Sequence, residues 1–315
     1  MAPEKEPEVF GFAYRLYQQE QFRQAYDLLT DVLEKYPGDR RRLFEWRVSM
    51  AARMGEPALA ESILGQALDE GNFYNEFSLR KDADLKDLQG RPVFEKMVER
   101  DLQMLASAQC RARPALTMIE PLENQADRVP MLMALHGNNS NGESQQGYWS
   151  PLAEKRWLVA IPQSSQVGGN GVFVWNDQAI AEKEIIAHYR ALSSKFALDL
   201  ERTIISGFSM GGYTALVAAI RQYFPVSGFL AVAPYIGDLQ NFEKILNKNK
   251  SLKLRGYFLL GEEDEHCTPA AIQLHEMLKQ RDIACGLEVF PGVGHAFPED
   301  YRSAIDRAIH FILPE

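Results

Sequence analysis

A serine in a glycine-rich turn is the strongest chemical signal in the sequence. Ser209 is the centre of a G-x-S-x-G motif that begins at Gly207 and ends at Gly211. An apolar run precedes the motif and an alanine-rich run follows it, which predicts a sharp turn from a strand into a helix. Such a turn needs small neighbours and exposes the hydroxyl above a helix N-terminus, where a developing anion is favoured. The motif therefore predicts a nucleophilic serine.

A serine hydroxyl becomes a strong nucleophile only when a base removes its proton, so a histidine and a carboxylate are needed as well. The chain order expected with this turn is serine, acid, histidine. His295 lies in a glycine-rich loop after the last predicted strand, whereas three other histidines lie inside predicted helices. We choose Asp264 as the acid from four carboxylates in one turn, because a short side chain suits the task, and we keep Glu263 as the alternative.

Acyl transfer through a serine also needs two N–H donors for the oxyanion, and losing one costs about 3–4 kcal/mol of transition-state stabilisation. The first predicted donor is the main-chain N–H of Met210, directly after the nucleophile. The second is the main-chain N–H of Asn138, in the loop after the predicted strand Met131–Leu135. A plain strand exit at His136 is the competing interpretation, and it would be credible only without Ser209.

Strands alternate with helices from about residue 113 onward, which predicts an α/β domain with a mostly parallel sheet covered on both faces. The predicted strands are Ala115–Ile119, Met131–Leu135, Leu158–Ile161, Thr203–Ser206, Gly228–Ala233, Gly256–Leu260 and Gly286–Phe290. The predicted helices are Ala179–Phe196, Gly211–Gln222, Leu239–Leu246, Pro269–Arg281 and Pro298–Ile312. This order presents the serine turn and the histidine loop at one edge of the sheet.

The first 108 residues carry helical periodicity and few strand signals. Two apolar stripes superpose at a shift of 35 residues, Ala25–Val32 on Ala60–Ala67, and another helical stretch precedes each. Helix pairs of this period resemble tetratricopeptide repeats (TPRs), although the leading Trp and Gly of that pattern are absent. We predict a TPR-like helical domain over residues 1–108 and a catalytic domain over residues 109–315. Protein or peptide binding by the helices and simple packing are both left open.

Four motifs together resemble the alpha/beta-hydrolase fold, in its carboxylesterase, phospholipase and predicted-esterase branch. In chain order they are His136-Gly137, Gly207–Gly211, Gly261-x-x-Asp264 and Gly294-His295, and Ile161–Gln166 with Trp175-Asn176-Asp177 is also similar to that branch. The resemblance covers about residues 113–315 and implies a serine esterase. The loop after the second strand lacks a glycine run, which argues against carboxylesterases that take tertiary alcohols.

The resemblance also implies where substrate binds, since the loop after the third strand lines the acyl site in that branch. We predict substrate contacts at Gly137, Asn139, Gln163, Trp175 and Tyr213. Residues 234–255 hold roughly one short helix, so a large inserted lid is not expected. One hypothesis is that the N-terminal helices take the place of such a lid.

The composition is that of an ordinary globular protein, with 46% hydrophobic and 24% charged residues and a net charge of -9. The basic triplet Arg40–Arg42 is too small for the basic footprint of a nucleic-acid binder. The three cysteines lack C-x-x-C spacing, no signal-peptide pattern opens the sequence, and no apolar stretch is long enough to span a membrane. We therefore expect a cytoplasmic protein without a membrane span or a nucleic-acid partner.

No cluster of histidine, cysteine and carboxylate has metal-ligand spacing, and no G-x-G-x-x-G follows a predicted strand, so no metal or other cofactor is expected. The sequence predicts a serine hydrolase that cleaves small-molecule carboxylic esters through an acyl-enzyme on Ser209. A thioesterase, lactonase or peptidase on the same fold is an alternative. A non-catalytic TPR-type adaptor is another, although the complete serine, acid and histidine set argues against it.

Overall fold

The computed structural model describes residues 6–121, 128–249 and 252–313, and the chain divides into two compact units. The helical unit comprises Met1–Arg111 together with Val167–Asn170. The sheet unit comprises Ala112–Gln166 and Gly171–Glu315. No helix among the described residues is long and apolar enough to cross a membrane.

The helical unit is built from α-helices joined by short turns. Its described helices are α1 (Glu6–Gln18), α2 (Phe22–Asp31), α3 (Arg40–Arg53), α4 (Pro57–Asp69), α5 (Glu76–Lys81) and α6 (Pro92–Arg111), with 3-10 turns at Pro37–Asp39 and Ala83–Leu88. The apolar stripes predicted from the sequence face inward, since Ala25 and Leu29 of α2 and Ala60 and Leu64 of α4 are at most 1% exposed. Burial of these stripes supplies the main driving force for packing the helices together.

The sheet unit contains a seven-stranded sheet whose order is β1-β3-β2-β6-β7-β8-β9. Its strands are β1 (Ala115–Ile119), β2 (Val129–Leu135), β3 (Leu158–Gln163), β6 (Leu198–Phe208), β7 (Gly228–Val232), β8 (Arg255–Gly261) and β9 (Ala284–Phe290). The edge strand β1 runs antiparallel to β3, and the other neighbours are parallel. Two short strands, β4 (Val167–Gly169) and β5 (Val172–Phe173), follow β3.

Helices cover both faces of the sheet, as the sequence predicted. They are α7 (Gly142–Trp149), α8 (Gln178–Lys195), α9 (Met210–Arg221), α10 (Leu239–Lys248), α11 (Thr268–Lys279) and α12 (Tyr301–Ile312), with a 3-10 turn at Ser150–Lys155. Alternate residues of β2 enter two separate apolar cores, because successive strand side chains point to opposite faces: Met131 and Met133 enter one, Leu132 and Ala134 the other. The predicted mostly parallel α/β architecture is confirmed.

The differences from the predicted elements have local causes. Helix α7 was not predicted, because its polar sequence has no apolar periodicity; it is stabilised by a capping box in which Asn141 and Ser144 bond each other's main chain. Helix α12 begins at Tyr301, three residues after the predicted start at Pro298. Strands β4 and β5 are too short for an alternating pattern to be recognised.

Candidate active site

The turn that joins β6 to α9 holds its central serine in strained backbone geometry. Ser209 has φ 55° and ψ -120°, and a positive φ is uncommon for a residue with a side chain. A Cβ atom added at Gly211 would lie 2.6 Å from the main-chain oxygen of Leu135, and one added at Gly207 would meet the Gly211 carbonyl. Glycine at both positions is therefore required for the strand ends to approach the turn. The Ser209 carbonyl accepts the Tyr235 N–H at 3.0 Å, which helps to hold the strained residue.

The structure brings Ser209, His295 and Asp264 into one hydrogen-bonded chain. His295 Nε2 lies 2.9 Å from Ser209 Oγ, and His295 Nδ1 lies 2.6 Å from Asp264 Oδ2. Because a carboxylate only accepts, the Nδ1–H donates to it and Nε2 is left to accept the serine proton. Asp264 is 4% exposed, whereas the His295 side chain is 40% exposed and faces the open side of the site. The imidazole is thus oriented as a base toward the serine.

The acid turn after β8 is bonded to the histidine loop after β9. The Glu263 N–H donates to Val293 O at 2.8 Å, and the Glu263 side chain is exposed. Asp264 Oδ1 accepts the Cys267 N–H at 3.1 Å. Burial, with a smaller effect of the Asp264 carboxylate, raises the pKa of the Cys267 thiol to about 12. Asp264 is therefore held by its own turn while its second oxygen faces His295.

A stack of aromatic rings supports the histidine loop. The ring of Phe208, the residue before the nucleophile, lies 4.9 Å from the His295 ring and is stacked on Phe297 at 5.2 Å. Phe297 is stacked in turn on Tyr148 of α7 at 3.9 Å. These contacts restrict the loop that carries the base, because the rings share large, well-packed surfaces.

The two predicted oxyanion donors belong to main chain at the same strand ends. Met210 is the first residue of α9, so its N–H has no acceptor within the helix. Within the described residues, the main-chain N–H of Asn138 donates no hydrogen bond to another main-chain group. The Asn138 side chain is held at both ends: its Oδ1 accepts the Trp175 N–H at 2.9 Å, and its Nδ2 donates to Asn176 Oδ1 at 2.7 Å. These side-chain bonds fix the loop that carries the second donor.

His136 is a buried neutral histidine that joins the loops around the site. Its Nδ1–H donates to Gly137 O at 2.7 Å, and its Nε2 accepts the Ser164 N–H at 3.3 Å. Its carbonyl accepts the Trp175 Nε1–H at 2.9 Å. Burial lowers the pKa of His136 to about 4, and the bond to the Gly137 carbonyl opposes this only in part. The neutral ring, with one donor and one acceptor nitrogen, suits both of its bonds.

Three of the predicted substrate-contact residues lie near strand ends. Gly137 is buried beside the nucleophile, since a Cβ atom there would lie 3.5 Å from Ser209 Cβ. Asn139 is exposed and has φ 56°. Gln163 is half-buried at the end of β3, where it pairs with Ala115 of β1. For these three residues, substrate contact stays a prediction.

The structure corrects the prediction for Trp175. Its side chain is 0% exposed and packs in the apolar core, and its indole N–H is bonded to the His136 carbonyl. Direct substrate contact is therefore wrong for this residue, which instead supports the wall of the site. Tyr213 is half-buried: its hydroxyl accepts from Asn241 Nδ2 at 3.1 Å, and its ring packs edge-on against Phe242 at 5.3 Å. Substrate contact by Tyr213 stays a prediction.

Some residues that shape the site were not singled out for it in the sequence. Asn176 holds Asn138, and its place in the Trp175-Asn176-Asp177 segment was the available signal. Tyr235 lies next to the nucleophile through its N–H bond to Ser209 O, and its side chain is 45% exposed. No local pattern identifies Tyr235, because it lies near the serine only once β7 has paired with β6.

Within the described residues, one group of side chains has the ligand types for a metal. One ligand atom from each of Asp264, Cys267 and His295 lies within 4.8 Å of the other two. Asp264 and His295 already bond each other, and His295 also bonds Ser209. The chemistry available to the group is therefore proton transfer.

Two family models match separate parts of the chain. The dienelactone hydrolase family matches residues 171–310, and a model described as "A/B hydrolase-like, N-terminal domain" matches residues 8–109. The helical part is thus similar to domains that precede alpha/beta hydrolases in other proteins. Its likeness to tetratricopeptide repeats stays a prediction.

Solved structures share the fold at low sequence identity. The crystal structure of an uncharacterized protein from Bacillus cereus ATCC 10987 has a TM-score of 0.55 and 23% identity, and the match covers 98% of each chain. Esterase PE8 has a TM-score of 0.53 and 18% identity, covering 62% of this chain and 97% of that chain. A curated relative, the bifunctional acetylxylan esterase/xylanase XynS20E of Neocallimastix patriciarum, is 29% identical over 114 residues, which are 33% of this chain and 16% of that protein. This chain therefore aligns with a small part of that relative.

Proposed function

We propose that this chain, an alpha/beta hydrolase with an N-terminal helical unit, is a serine esterase that works through an acyl-enzyme on Ser209. The observation that carries the proposal is the unbroken hydrogen-bond chain from Asp264 through His295 to Ser209. The dienelactone hydrolase match and the esterases among the similar proteins support ester hydrolysis as the reaction class.

Acylation begins when His295 Nε2 takes the proton of Ser209 Oγ as that oxygen attacks the acyl carbon. The carbonyl oxygen becomes an oxyanion, which the N–H groups of Met210 and Asn138 stabilise together with the positive end of the α9 dipole. Asp264 accepts the Nδ1–H and stabilises the imidazolium that forms. His295 then gives its proton to the departing alkoxide, and the ester C–O bond breaks.

Deacylation repeats these steps with water. His295 takes a proton from the attacking water, the same two N–H donors hold the second oxyanion, and the proton is returned to Ser209 Oγ as the acid leaves. Because the His295 side chain is 40% exposed, water reaches the base without a large movement of the chain.

Hydrolysis of p-nitrophenyl acetate, butyrate and octanoate by the wild type and by Ser209→Ala tests the proposal. Turnover by the variant should fall about 10⁴-fold or more, because the variant lacks the oxygen that attacks the acyl carbon. The matched control is Ser193→Ala, which removes an exposed hydroxyl of α8 and should leave turnover unchanged. Wild-type rates in a folded Ser209→Ala protein would reject the proposal.

Assays of the same proteins on a thioester, a lactone and a peptide compare ester hydrolysis with the cleavage of related bonds. We expect the highest kcat/KM for an ester. A higher value for one of the other three would replace esterase by that activity and keep the nucleophile.

A further inference from the structure

A cleft of about 350 Å³ lies within the helical unit, and none of its lining residues is used in the proposed hydrolysis. Helix α1, helix α3 and the turn after α5 line it, through Tyr14, Tyr17, Glu45, Trp46, Ser49, Met50, Asp82 and Asp84. The lining thus combines three aromatic rings with three carboxylates.

The aromatic rings form a corner that is open to solvent. Tyr14 and Tyr17 are parallel, with centroids 6.3 Å apart and an interplanar angle of 12°. Trp46 meets Tyr14 at 6.4 Å and 68°, so its ring is steeply inclined to the tyrosines. Tyr14 is 50% exposed, which leaves the corner accessible. Aromatic faces carry partial negative charge and attract cations that approach within about 6 Å of the centroid.

Most other aromatic rings of this unit already lie under a guanidinium group of the chain itself. Examples are Phe10 under Arg42 at 3.8 Å and Phe22 under Arg53 at 4.7 Å. Across the described residues, no such cation lies over the ring of Tyr14 or of Trp46. Tyr14 is stacked on Tyr17 and Trp46 meets Phe10 edge-on at 5.9 Å, so the contacts of these two rings are with other rings and not with a cation.

The carboxylates of the cleft are only partly compensated. Asp84 lies 3.5 Å from Arg53, and Glu45 lies 3.0 Å from Arg41. Asp82 accepts the Ser49 hydroxyl at 3.3 Å, and in the described part of the chain it forms no ion pair. The cleft therefore keeps a negative charge next to the open ring faces, and an anionic ligand is disfavoured there.

We propose that this cleft binds an organic cation, an ammonium or guanidinium group on an apolar stem. The charge would lie over Tyr14 and Trp46 with Asp82 as its counter-ion. A free small amine and the side chain of a lysine or arginine in a peptide share this chemistry. The site is independent of ester hydrolysis, so it also holds if the chain has another activity.

NMR titration of the full-length chain tests this binding through the indole N–H signal of Trp46, which is assigned with Trp46→Phe. The probes are choline and its neutral isostere 3,3-dimethyl-1-butanol, with a capped Ala-Lys-Ala peptide and its Nε-acetylated form. Saturable shifts are expected with choline and the lysine peptide but not with the neutral partner of either. Equal shifts from the neutral partners, or none from either cation, would overturn the proposal. Tighter binding of choline or of the peptide identifies the source of the cation.

Two variants place the cation within the cleft. Asp82→Asn removes the charge but keeps an oxygen for the Asp84 N–H, and Tyr14→Leu removes an aromatic face; each should weaken binding about three- to tenfold. The matched control is Glu99→Gln on the exposed side of α6, where affinity should be unchanged. Wild-type affinity in folded Asp82→Asn and Tyr14→Leu proteins would contradict the assignment.

Discussion

Polar groups are arranged differently in the two compact units. In the sheet unit one set of them converges, because the loops after β6, β8 and β9 bring Ser209, Asp264 and His295 together. Other polar groups of this unit form separate ion pairs, such as Arg307–Glu288. In the helical unit they form separate arginine–carboxylate pairs between helices or turns, such as Arg40–Glu70 and Arg91–Glu61. The first arrangement is a single chain of directional hydrogen bonds, whereas the second is a set of separate pairs that are buried to different degrees.

Single substitutions should have different effects in these two arrangements. A convergent chain of hydrogen bonds fails when one member is lost, because each group orients the next. Exposed ion pairs contribute about 0–1 kcal/mol each, so losing one changes little. We therefore expect substitutions in the chain from Asp264 to Ser209 to change the rate steeply, and substitutions of exposed ion pairs to change stability in small steps.

Asp264→Asn should show the largest effect. The asparagine amide keeps the shape of the side chain but removes the charge that stabilises the imidazolium, so kcat should fall about 10⁴-fold. Steady-state kinetics on p-nitrophenyl butyrate measures this. Its neighbour Glu263→Gln is the control and should keep wild-type kcat, since the Glu263 side chain is exposed. A larger loss in Glu263→Gln than in Asp264→Asn would make Glu263 the acid.

Two glycine-to-alanine substitutions, one in each unit, should change the free energy of unfolding in opposite directions. Gly211→Ala forces a Cβ atom against the carbonyls of Leu135 and His136, which are fixed main chain, and should destabilise the sheet unit by about 3 kcal/mol or more. Gly11→Ala lies inside α1, with Arg15 Nη1 at 3.8 Å as the nearest atom, and should stabilise by about 0.5–1 kcal/mol. Urea unfolding measures both. Equal effects of the same sign would contradict the contrast.

Buried His136 should make the sheet unit less stable in acid. Its pKa is about 4 in the folded chain, below the ordinary value of 6.5, so the unfolded chain binds the extra proton first. Stability is therefore lost as pH falls from 6.5 towards 4, by about 3 kcal/mol. The unfolding free energy of the wild type minus that of His136→Gln should decline over this range. A difference that does not vary with pH would show that His136 does not titrate this way.

Buried Asp101 should give the helical unit the opposite slope. Burial raises its pKa from 3.8 to about 6, and the Tyr74 N–H, which donates to Oδ1 at 2.7 Å, offsets this only in part. The folded chain keeps a proton that the unfolded chain loses, so stability falls as pH rises from 3.8 to 6, by about 3 kcal/mol. Asp101→Asn should therefore gain stability relative to the wild type over this range. A parallel pH dependence of the two proteins would contradict the prediction.

The fold was accessible from sequence because its signals are local. The alternation of apolar runs and helical stripes predicts the sheet, and the glycines around Ser209 predict the turn, since only glycine fits beside the strand ends. The order of serine, acid and histidine then selects His295 among the histidines and favours Asp264, with Glu263 left as the alternative. The strands, the helices and the serine turn are each inferred from a few neighbouring residues. The order of motifs along the chain then indicates the acid and the base.

What the sequence did not predict depends on contacts between distant segments. His136 and Asn176 form their hydrogen bonds only where the loop after β2 meets the segments that follow β3. Phe208 and Phe297 support His295 only because the serine turn lies beside the histidine loop. Trp175 was misjudged for the same reason. An aromatic residue in a loop near a sheet edge has no local feature that shows whether tertiary packing will bury it.

Trapping of the covalent intermediate shows which residue carries the acyl group. Wild-type chain mixed with p-nitrophenyl butyrate and quenched in acid within the first turnovers should carry one butyryl group per chain, on the peptide that contains Ser209. Ser209→Ala should carry none. A butyryl group on another residue such as Cys267, or continued hydrolysis by Ser209→Ala at the wild-type rate, would contradict the acyl-enzyme on Ser209.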